Sequence, residues 1–124
     1  MISISDNSLF CCYCGCKFNP LNKGKVKTID HLIPVSKGGA NRSCNKKNCC
    51  KHCNTQKGDL LLQDFLILIT GSPLSFYEKN IRIENIKYLI DYVNSTGEKV
   101  FRHKEKYVWY ERRYLNLNPI NEVK

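Results

Sequence analysis

The stretch DHLIPVSKGGANRSCNKKNCCKHCNTQKGD, residues 30–59, has an acidic side chain at each end and only basic side chains among the charged residues between them. Asp30 is the only acid between Lys17 and Lys57, and it directly precedes His31. A segment that only binds phosphate has no use for a carboxylate, because the two negative charges repel each other. A carboxylate beside an imidazole instead indicates a site that combines a divalent cation with a proton-accepting base.

Paired cysteines occur within this stretch and just before it. Cys11 and Cys14 in CCYCG, and Cys50 and Cys53 in CCKHC, are each separated by two residues. Two such turns commonly hold one tetrahedral zinc ion, so we predict a structural zinc on four thiolates. The four remaining cysteines leave other pairings and a second metal site open, or are plain small side chains: Cys12, Cys16, Cys44 and Cys49.

The cellular compartment bears on whether these thiols stay reduced. The opening MISISDNSLF has neither a basic lead nor an apolar stretch typical of a signal peptide, so we expect no secretion and a cytoplasmic location. No apolar run reaches the roughly 18 residues that a membrane span needs, so no membrane is expected as a partner. The abundance of Lys, Asn and Ile is typical of AT-rich coding and hints at a phage or other virus as the source.

The positive charge is concentrated in the first half of the chain. The net charge is +9, and residues 1–59 contain ten Lys or Arg against three Asp, whereas residues 60–124 contain ten against eight acids. Such a field attracts polyanions, and nucleic acid first among them. The alternative is that the lysines only keep the protein soluble.

The pattern of side chains predicts an α+β protein in two parts. Residues 1–59 form a small zinc-stabilised module with a strand in KVKTIDH and a helix over residues 51–57 that Gly58 ends. Residues 60–124 form a mainly helical extension that serves DNA specificity or dimerisation, with a helix over 59–69 capped by Asp59 and an amphipathic helix over 81–96 that ends at Gly97. The aromatic side chains of residues 101–114 are expected to pack in the core rather than stack on bases.

The residues around the lone acid suit phosphodiester hydrolysis. His31 can take a proton from water near neutral pH, and Asp30 and Asn54 offer oxygen ligands to Mg²⁺. Adjacent residues of a regular strand point to opposite faces. Asp30 and His31 therefore need a local twist to serve one phosphate.

This stretch, together with CCYCG, resembles the HNH endonucleases, whose ββα-metal module often carries a zinc on two CxxC pairs. His31, Asn45 and Asn54 occupy the three positions that name the family, with Asn in the last place as in the HNN variants. Thirteen residues separate the first two and eight separate the last two, which is the common spacing. The resemblance covers residues 11–59, and residues 60–124 are unfamiliar.

The resemblance implies a treble-clef-like fold and a metal-dependent DNA endonuclease that leaves 5′-phosphate and 3′-hydroxyl ends. It makes His31 the general base, assigns Asp30 and Asn54 to a catalytic Mg²⁺ or Mn²⁺, and has Asn45 hold the two strands together and orient His31. We expect double-stranded DNA as the partner and a monomer or homodimer. Candidate phosphate contacts are Lys37, Arg42, Lys51 and Lys57.

One segment departs from the family pattern. Lys46, Lys47 and Asn48 follow Asn45 where family members usually have apolar residues. The second strand is therefore expected to be short, exposed or turned toward DNA, and Asn48 is a possible substitute for Asn45. Two other functions share the zinc and the basic face: a non-catalytic nucleic-acid-binding module, and a domain that binds acidic proteins.

Overall fold

A computed structural model describes residues 8–115 and contains one two-stranded sheet and four α-helices. The elements are β1 (Lys27–His31), β2 (Lys46–Cys50), α1 (Lys51–Lys57), α2 (Leu62–Thr70), α3 (Phe76–Thr96) and α4 (Lys104–Tyr110). Single 3-10 turns lie at Lys23–Lys25, Val35–Lys37, Ser43–Asn45 and Gly97–Val100, and a π-helical turn follows α4 at Glu111–Leu115. The predicted α+β class, with a ββα module and a mainly helical C-terminal part, is confirmed.

The two strands and the first helix form one continuous unit. β1 and β2 are antiparallel, with Lys27 opposite Cys50 and His31 opposite Lys46. The chain passes from β2 directly into α1, where the Cys50 sulfur accepts a hydrogen bond from the backbone N–H of Cys53 and so caps the helix. Gly58 ends α1 with a φ of +55°, a conformation that favours glycine, as predicted. The strand predicted in KVKTIDH is β1.

The second strand is buried, so the expectation of an exposed or DNA-facing strand is wrong. Lys47 and Asn48 are 5% and 7% exposed. The ammonium group of Lys47 lies 4.6 Å from the ring centroid of Tyr92 on α3, where a cation–π contact offsets part of its lost hydration. The Asn48 carbonyl accepts a hydrogen bond from the backbone N–H of Cys12 at 3.1 Å. The neighbouring α3 and the first cysteine loop therefore cover this strand.

The helices of the C-terminal part begin at other residues than the sequence predicted. Asp59 does not cap α2, because the helix begins at Leu62 and the Asp59 side chain is 74% exposed. The long helix α3 begins five residues before the predicted start, at a capping box in which Ser75 and Glu78 bond each other's backbone N–H. Its buried residues include the predicted Ile86 and Leu89, and Gly97 follows its last residue as predicted.

One core connects the cysteine-rich half to the helical half. The Tyr13 ring meets Phe65 of α2 edge-on, with 5.3 Å between centroids. The Asn85 side chain on α3 donates a hydrogen bond to the Tyr13 carbonyl at 2.7 Å. Phe101 and Tyr110 are buried with ring centroids 5.2 Å apart, as predicted for the aromatics of that segment.

No helix within residues 8–115 has the length and apolar character that a membrane crossing requires.

Candidate metal centre and active site

Four cysteine sulfurs converge where the first loop meets the end of β2. The Sγ atoms of Cys11, Cys14, Cys50 and Cys53 all lie within 4.8 Å of one another, and those of Cys14 and Cys50 are 3.8 Å apart. A tetrahedral zinc with Zn–S bonds of about 2.3 Å separates its sulfurs by about 3.8 Å. The four predicted thiols are thus grouped as a zinc ion needs them, and these four cysteines could hold zinc.

Hydrogen bonds within the cluster favour the thiolate at Cys11, Cys14 and Cys50, whereas the same three neighbours raise the pKa of the Cys53 thiol. The N–H groups of Tyr13 and Cys14 both point at the Cys11 sulfur at 3.4 Å. The pKa of Cys11 is lowered to about 7, chiefly by the hydrogen bond with Cys14. The pKa of Cys50 is lowered to about 6, chiefly by Cys11. For Cys14, the interaction with Cys11 raises the pKa, but hydrogen bonds from Cys50 and Cys53 outweigh it and lower the value to about 6.

The other thiols of the cysteine-rich half lie outside this group. Burial raises the pKa of the Cys12 thiol well above its ordinary value and that of Cys49 to about 12. Such neutral thiols behave as small apolar side chains. Cys44 donates a hydrogen bond to the Lys99 carbonyl at 3.4 Å. Within residues 8–115, the four-sulfur cluster is the one group of three or more His, Cys, Asp or Glu that could hold a metal, so no second cysteine site is found there.

His31 is the last residue of β1, with a half-buried side chain. Its Nε2 lies 3.2 Å from Oδ1 of Asn41, which belongs to the loop between the strands. An amide oxygen accepts hydrogen bonds and cannot donate them, so in this pair Nε2 carries the proton and Nδ1 has a free lone pair. A neutral imidazole in this tautomer is the form that accepts a proton from water.

Asp30 points to the opposite side of the strand from its neighbours, into the module. It is 7% exposed, and its Oδ2 accepts a hydrogen bond from the Tyr13 hydroxyl at 2.5 Å. The ammonium group of Lys57, at the end of α1, lies 3.1 Å from the same oxygen and also donates to the His31 carbonyl at 3.2 Å. A buried ion pair with an added hydrogen bond satisfies the carboxylate.

Asn54 lies on the first helix and reaches back to the first strand. Its Nδ2 donates to Thr28 Oγ1 at 3.0 Å and points at the Ile29 carbonyl at 3.5 Å. These contacts use the nitrogen end of the amide, which leaves Oδ1 as the atom that can face a cation. Asn54 also follows Cys53 directly, so the zinc-binding turn fixes where its side chain begins.

Asn45 is fully buried and binds the loop that follows His31. Its Oδ1 accepts from the Ile33 N–H at 2.9 Å, and its Nδ2 donates to the carbonyls of Ile33 and Ala40, each at 3.0 Å. Its own carbonyl accepts from the Leu32 N–H at 2.8 Å. The Asn45 side chain therefore connects the start of this loop to its end. Asn48, the possible substitute for Asn45, is not needed for these contacts.

The four candidate phosphate contacts differ in how accessible they are. Lys57 is completely buried, so the prediction that it contacts DNA is wrong for this conformation, because its charge faces Asp30. Lys51 is exposed at the start of α1. Arg42 is exposed but donates to the Lys99 carbonyl at 2.8 Å. Lys37 is half-buried, and its ammonium group donates to the Asp59 carbonyl at 2.6 Å.

Two residues of the site were not predicted from the sequence. Tyr13 holds Asp30 from inside the first CxxC turn, and burial, followed by the charge of Asp30, raises its pKa well above the ordinary value. Asn41 contacts His31. One indication of Tyr13 was present in the sequence, because an aromatic residue stands between Cys11 and Cys14. There was none for Asn41, which lies in a polar loop whose shape depends on Asn45.

A model of a known protein family matches the part of the chain that contains the ββα unit. The family model of the HNH endonucleases matches residues 11–66, which include both cysteine pairs, both strands, α1 and the first half of α2. No curated protein matches the chain. Residues 11–66 of this chain are therefore similar to the HNH endonucleases.

Proposed function

We propose that this protein is a metal-dependent endonuclease that hydrolyses phosphodiester bonds in double-stranded DNA and leaves 5′-phosphate and 3′-hydroxyl ends. One observation carries the proposal: within an HNH module, His31 ends the same strand to which the Asn54 amide is bonded. A proton acceptor and an oxygen ligand are thus held on one rigid ββα unit. Free thiols favour a reducing compartment, so we propose a cytoplasmic site of action.

Residues of this chain perform the proton transfer. Asn41 keeps the proton on Nε2 of His31, and Nδ1 then takes the proton of the attacking water. Asn45 binds the backbone of Ile33, two residues after His31, and so restrains the position of the imidazole. A positioned base of this kind contributes roughly 10²–10⁴-fold to the rate.

The two metal ions would bind at different residues. Zinc on the four cysteines is structural, because all four ligands come from the protein and none is left for water. Asp30 and Asn54 would hold Mg²⁺ or Mn²⁺, which when bound neutralises charge that develops on the phosphate. One carboxylate oxygen and one amide oxygen suit a hard cation that retains several waters. Such a cation would have to replace the Lys57 ammonium group, which lies 3.1 Å from Asp30 Oδ2. Lys51, with Arg42 and Lys37, then contacts neighbouring phosphates.

Plasmid cleavage tests the proposal. Zinc-loaded protein with Mg²⁺ or Mn²⁺ is expected to convert supercoiled plasmid to nicked or linear DNA, and His31→Ala is expected to cut at least about 100-fold more slowly. His52→Ala is the matched control, because His52 is an exposed histidine on α1 and should leave the rate close to that of the parent. Plasmid that stays uncut with every divalent ion, or full activity in His31→Ala, would contradict the proposal.

A non-catalytic DNA-binding module is the second candidate, and the Lys57–Asp30 ion pair favours it. The ammonium group already neutralises the carboxylate that a divalent cation would need. Under this alternative, the zinc-loaded protein binds DNA and loses affinity steeply with added salt but never cuts it. The same plasmid experiment with a parallel binding measurement separates the two functions.

A further inference from the structure

The chain's single tryptophan lies on the surface of α4. Trp109 is 43% exposed and lies between two grooves. Arg102, Lys104 and Arg112 line one of them, and Lys37 and Lys106 line the other. An aromatic ring flanked by cations is the combination that contacts nucleic acid, because the ring stacks on bases and the cations bind phosphates.

Positive charge in the C-terminal half is concentrated around this tryptophan. Residues 102–113 contain five Lys or Arg against two Glu, whereas the rest of residues 60–124 contains five Lys or Arg against six acids. Glu105 is the one acid that lines the grooves. We call Lys37, Arg102, Lys106, Trp109 and Arg112 the α4 surface. Its charge is complementary to DNA.

The α4 surface is built onto the loop that follows His31. The Arg102 N–H donates to the Gly38 carbonyl at 2.8 Å, and the Ala40 N–H donates to the Val100 carbonyl at 2.8 Å. The Lys106 stem packs directly on Gly38. Ala40 precedes Asn41, which contacts His31, so hydrogen bonds and peptide bonds connect the candidate base to this surface.

We propose that the α4 surface binds the DNA strand beside the cleaved bond and that Trp109 stacks on an unpaired base there. Base faces inside an intact duplex are covered by their neighbours, so an indole reaches one only where the bases are unpaired or flipped out. The substrate class is therefore duplex DNA with a short single-stranded stretch next to the cut. This inference rests on the proposed function and specifies its substrate.

Tryptophan fluorescence tests the contact directly, because Trp109 is the only tryptophan of the chain. Zinc-loaded His31→Ala protein is titrated with three labelled DNAs: an intact duplex, a duplex with a short gap, and a single strand. Anisotropy of the label reports binding, and emission on selective tryptophan excitation reports stacking. We expect the gapped duplex and the single strand to quench the emission strongly and the intact duplex to quench it little.

Variants measure what the surface contributes to affinity. Trp109→Ala is expected to bind the gapped duplex about tenfold or more weakly, while its affinity for the intact duplex stays within about twofold. Phe76→Ala, an aromatic residue that is 80% exposed at the start of α3, is the matched control and should change neither affinity. Lys106→Gln with Arg112→Gln should lower the salt slope for the gapped duplex, and Lys87→Gln on α3 should leave it unchanged.

The outcomes separate this inference from the proposed function. If the parent cuts plasmid and binds all three DNAs without quenching, or if Trp109→Ala retains the affinity for gapped DNA, the α4 surface is not a DNA site and the nuclease proposal stands. If emission instead changes with protein concentration in the absence of DNA, the surface joins two copies of the chain and the inference is overturned. If the parent binds no DNA, the proposed function itself fails.

Discussion

Lys57 is the residue whose environment departs most from what its type suggests. A lysine in the basic half of this chain was expected to contact phosphate, but this one is completely buried and faces Asp30. It also bonds the His31 carbonyl, so one ammonium group holds both members of the Asp–His pair. Asp30 and His31 nevertheless differ in burial, as adjacent strand residues do, and Lys57 binds the first through its side chain and the second through its backbone carbonyl. The local twist that would turn both side chains toward one phosphate is not seen in this strand.

Replacing this lysine should destabilise the fold strongly. Lys57→Met leaves the Asp30 carboxylate buried without its counter-charge, which costs about 3–5 kcal/mol in comparable pairs. Urea unfolding of the zinc-loaded protein measures the loss. Lys51→Met, an exposed lysine at the other end of the same helix, is the control and should change the free energy of unfolding by less than about 0.5 kcal/mol. Equal stabilities of the two variants would show that the buried ion pair contributes nothing.

Gly39 is required because its backbone lies against the Ile33 carbonyl, and not because the chain turns there. A Cβ added at this position would lie 1.8 Å from the Ile33 carbonyl oxygen and 2.9 Å from Asn45 Nδ2, within the network that supports the loop after His31. Its neighbour Gly38 has a φ of +96°, so it is Gly38 that makes the turn. The sequence indicated a turn at the glycine pair, but the packing of the second glycine depends on Asn45.

Gly39→Ala should therefore be severe. The backbone must shift and the Asn45 hydrogen bonds must break, so we expect a loss of about 3 kcal/mol or more in the free energy of unfolding. Gly24→Ala is the control, because a Cβ there meets its nearest neighbour at 3.7 Å and the backbone has ordinary angles. Thermal unfolding followed by circular dichroism compares the two, and a stable Gly39→Ala protein would contradict the packing described for the loop.

At the scale of elements, the four-cysteine cluster connects the first loop to the junction of β2 and α1. Because Cys50 ends the strand and Cys53 lies in the first turn of the helix, the cluster fixes the angle at which α1 leaves the sheet. The thiols of this cluster also make the folding stability of the module depend on pH. Three of them have a folded-state pKa lowered from 9.0, to about 7 for Cys11 and about 6 for Cys14 and Cys50.

The stability of the metal-free protein should rise with pH from about 6 to about 9. A group with a lowered pKa binds fewer protons when folded, so its contribution is complete above the unfolded value and is lost as the pH falls through the folded one. The raised pKa of Cys53 acts in the opposite direction and only above about pH 9. Urea unfolding at several pH values measures the trend, which Cys14→Ser should weaken and Cys44→Ser should preserve. A flat profile for the parent would contradict it.

Local patterns predicted some elements well and others poorly, for a physical reason. The grouping of Cys11, Cys14, Cys50 and Cys53, the strand β1 and the end of α1 at Gly58 follow from spacings of a few residues, and the structure agrees with all three. The start of α2 was missed because the chain turns after α1, with the Leu60 N–H bonded to the Lys57 carbonyl, and the helix begins at Leu62 without a capping side chain. The burial of β2 was missed because the side chain that covers Lys47 is Tyr92 of α3. That contact leaves no trace in a short window of sequence.

The whole molecule has one core, although its sequence changes character near residue 58. Buried residues of the cysteine-rich half, such as Tyr13 and Ile33, belong to the same cluster as Phe65, Ile86 and Tyr110. The Tyr92 hydroxyl on α3 also donates to the Cys44 carbonyl at 2.6 Å. The helical part therefore covers apolar and polar surface that the zinc module presents.

A fragment of residues 1–59 should consequently bind zinc without folding fully. Its four cysteines are all present, but Tyr13 loses Phe65 and the loop after His31 loses the backbone partners of residues 98–102. We expect stoichiometric zinc binding together with poorly dispersed amide resonances, whereas the full chain gives a dispersed spectrum. A fragment that folds cooperatively and cuts plasmid would show that residues 60–124 are a separate domain.

The bridge between Gly39 and Phe101 also bears on the order in which the protein is made. A ribosome delivers a chain from its N-terminus at about 5–20 residues per second, so the zinc ligands and His31 emerge seconds before Phe101. During that interval the nascent module has its metal ligands but lacks the strand partner that holds the loop after His31. A chain that ends before Phe101 would contain every proposed ligand but not the bridge that holds the loop after His31. The proposed nuclease activity is therefore expected only after residue 101 has left the ribosome.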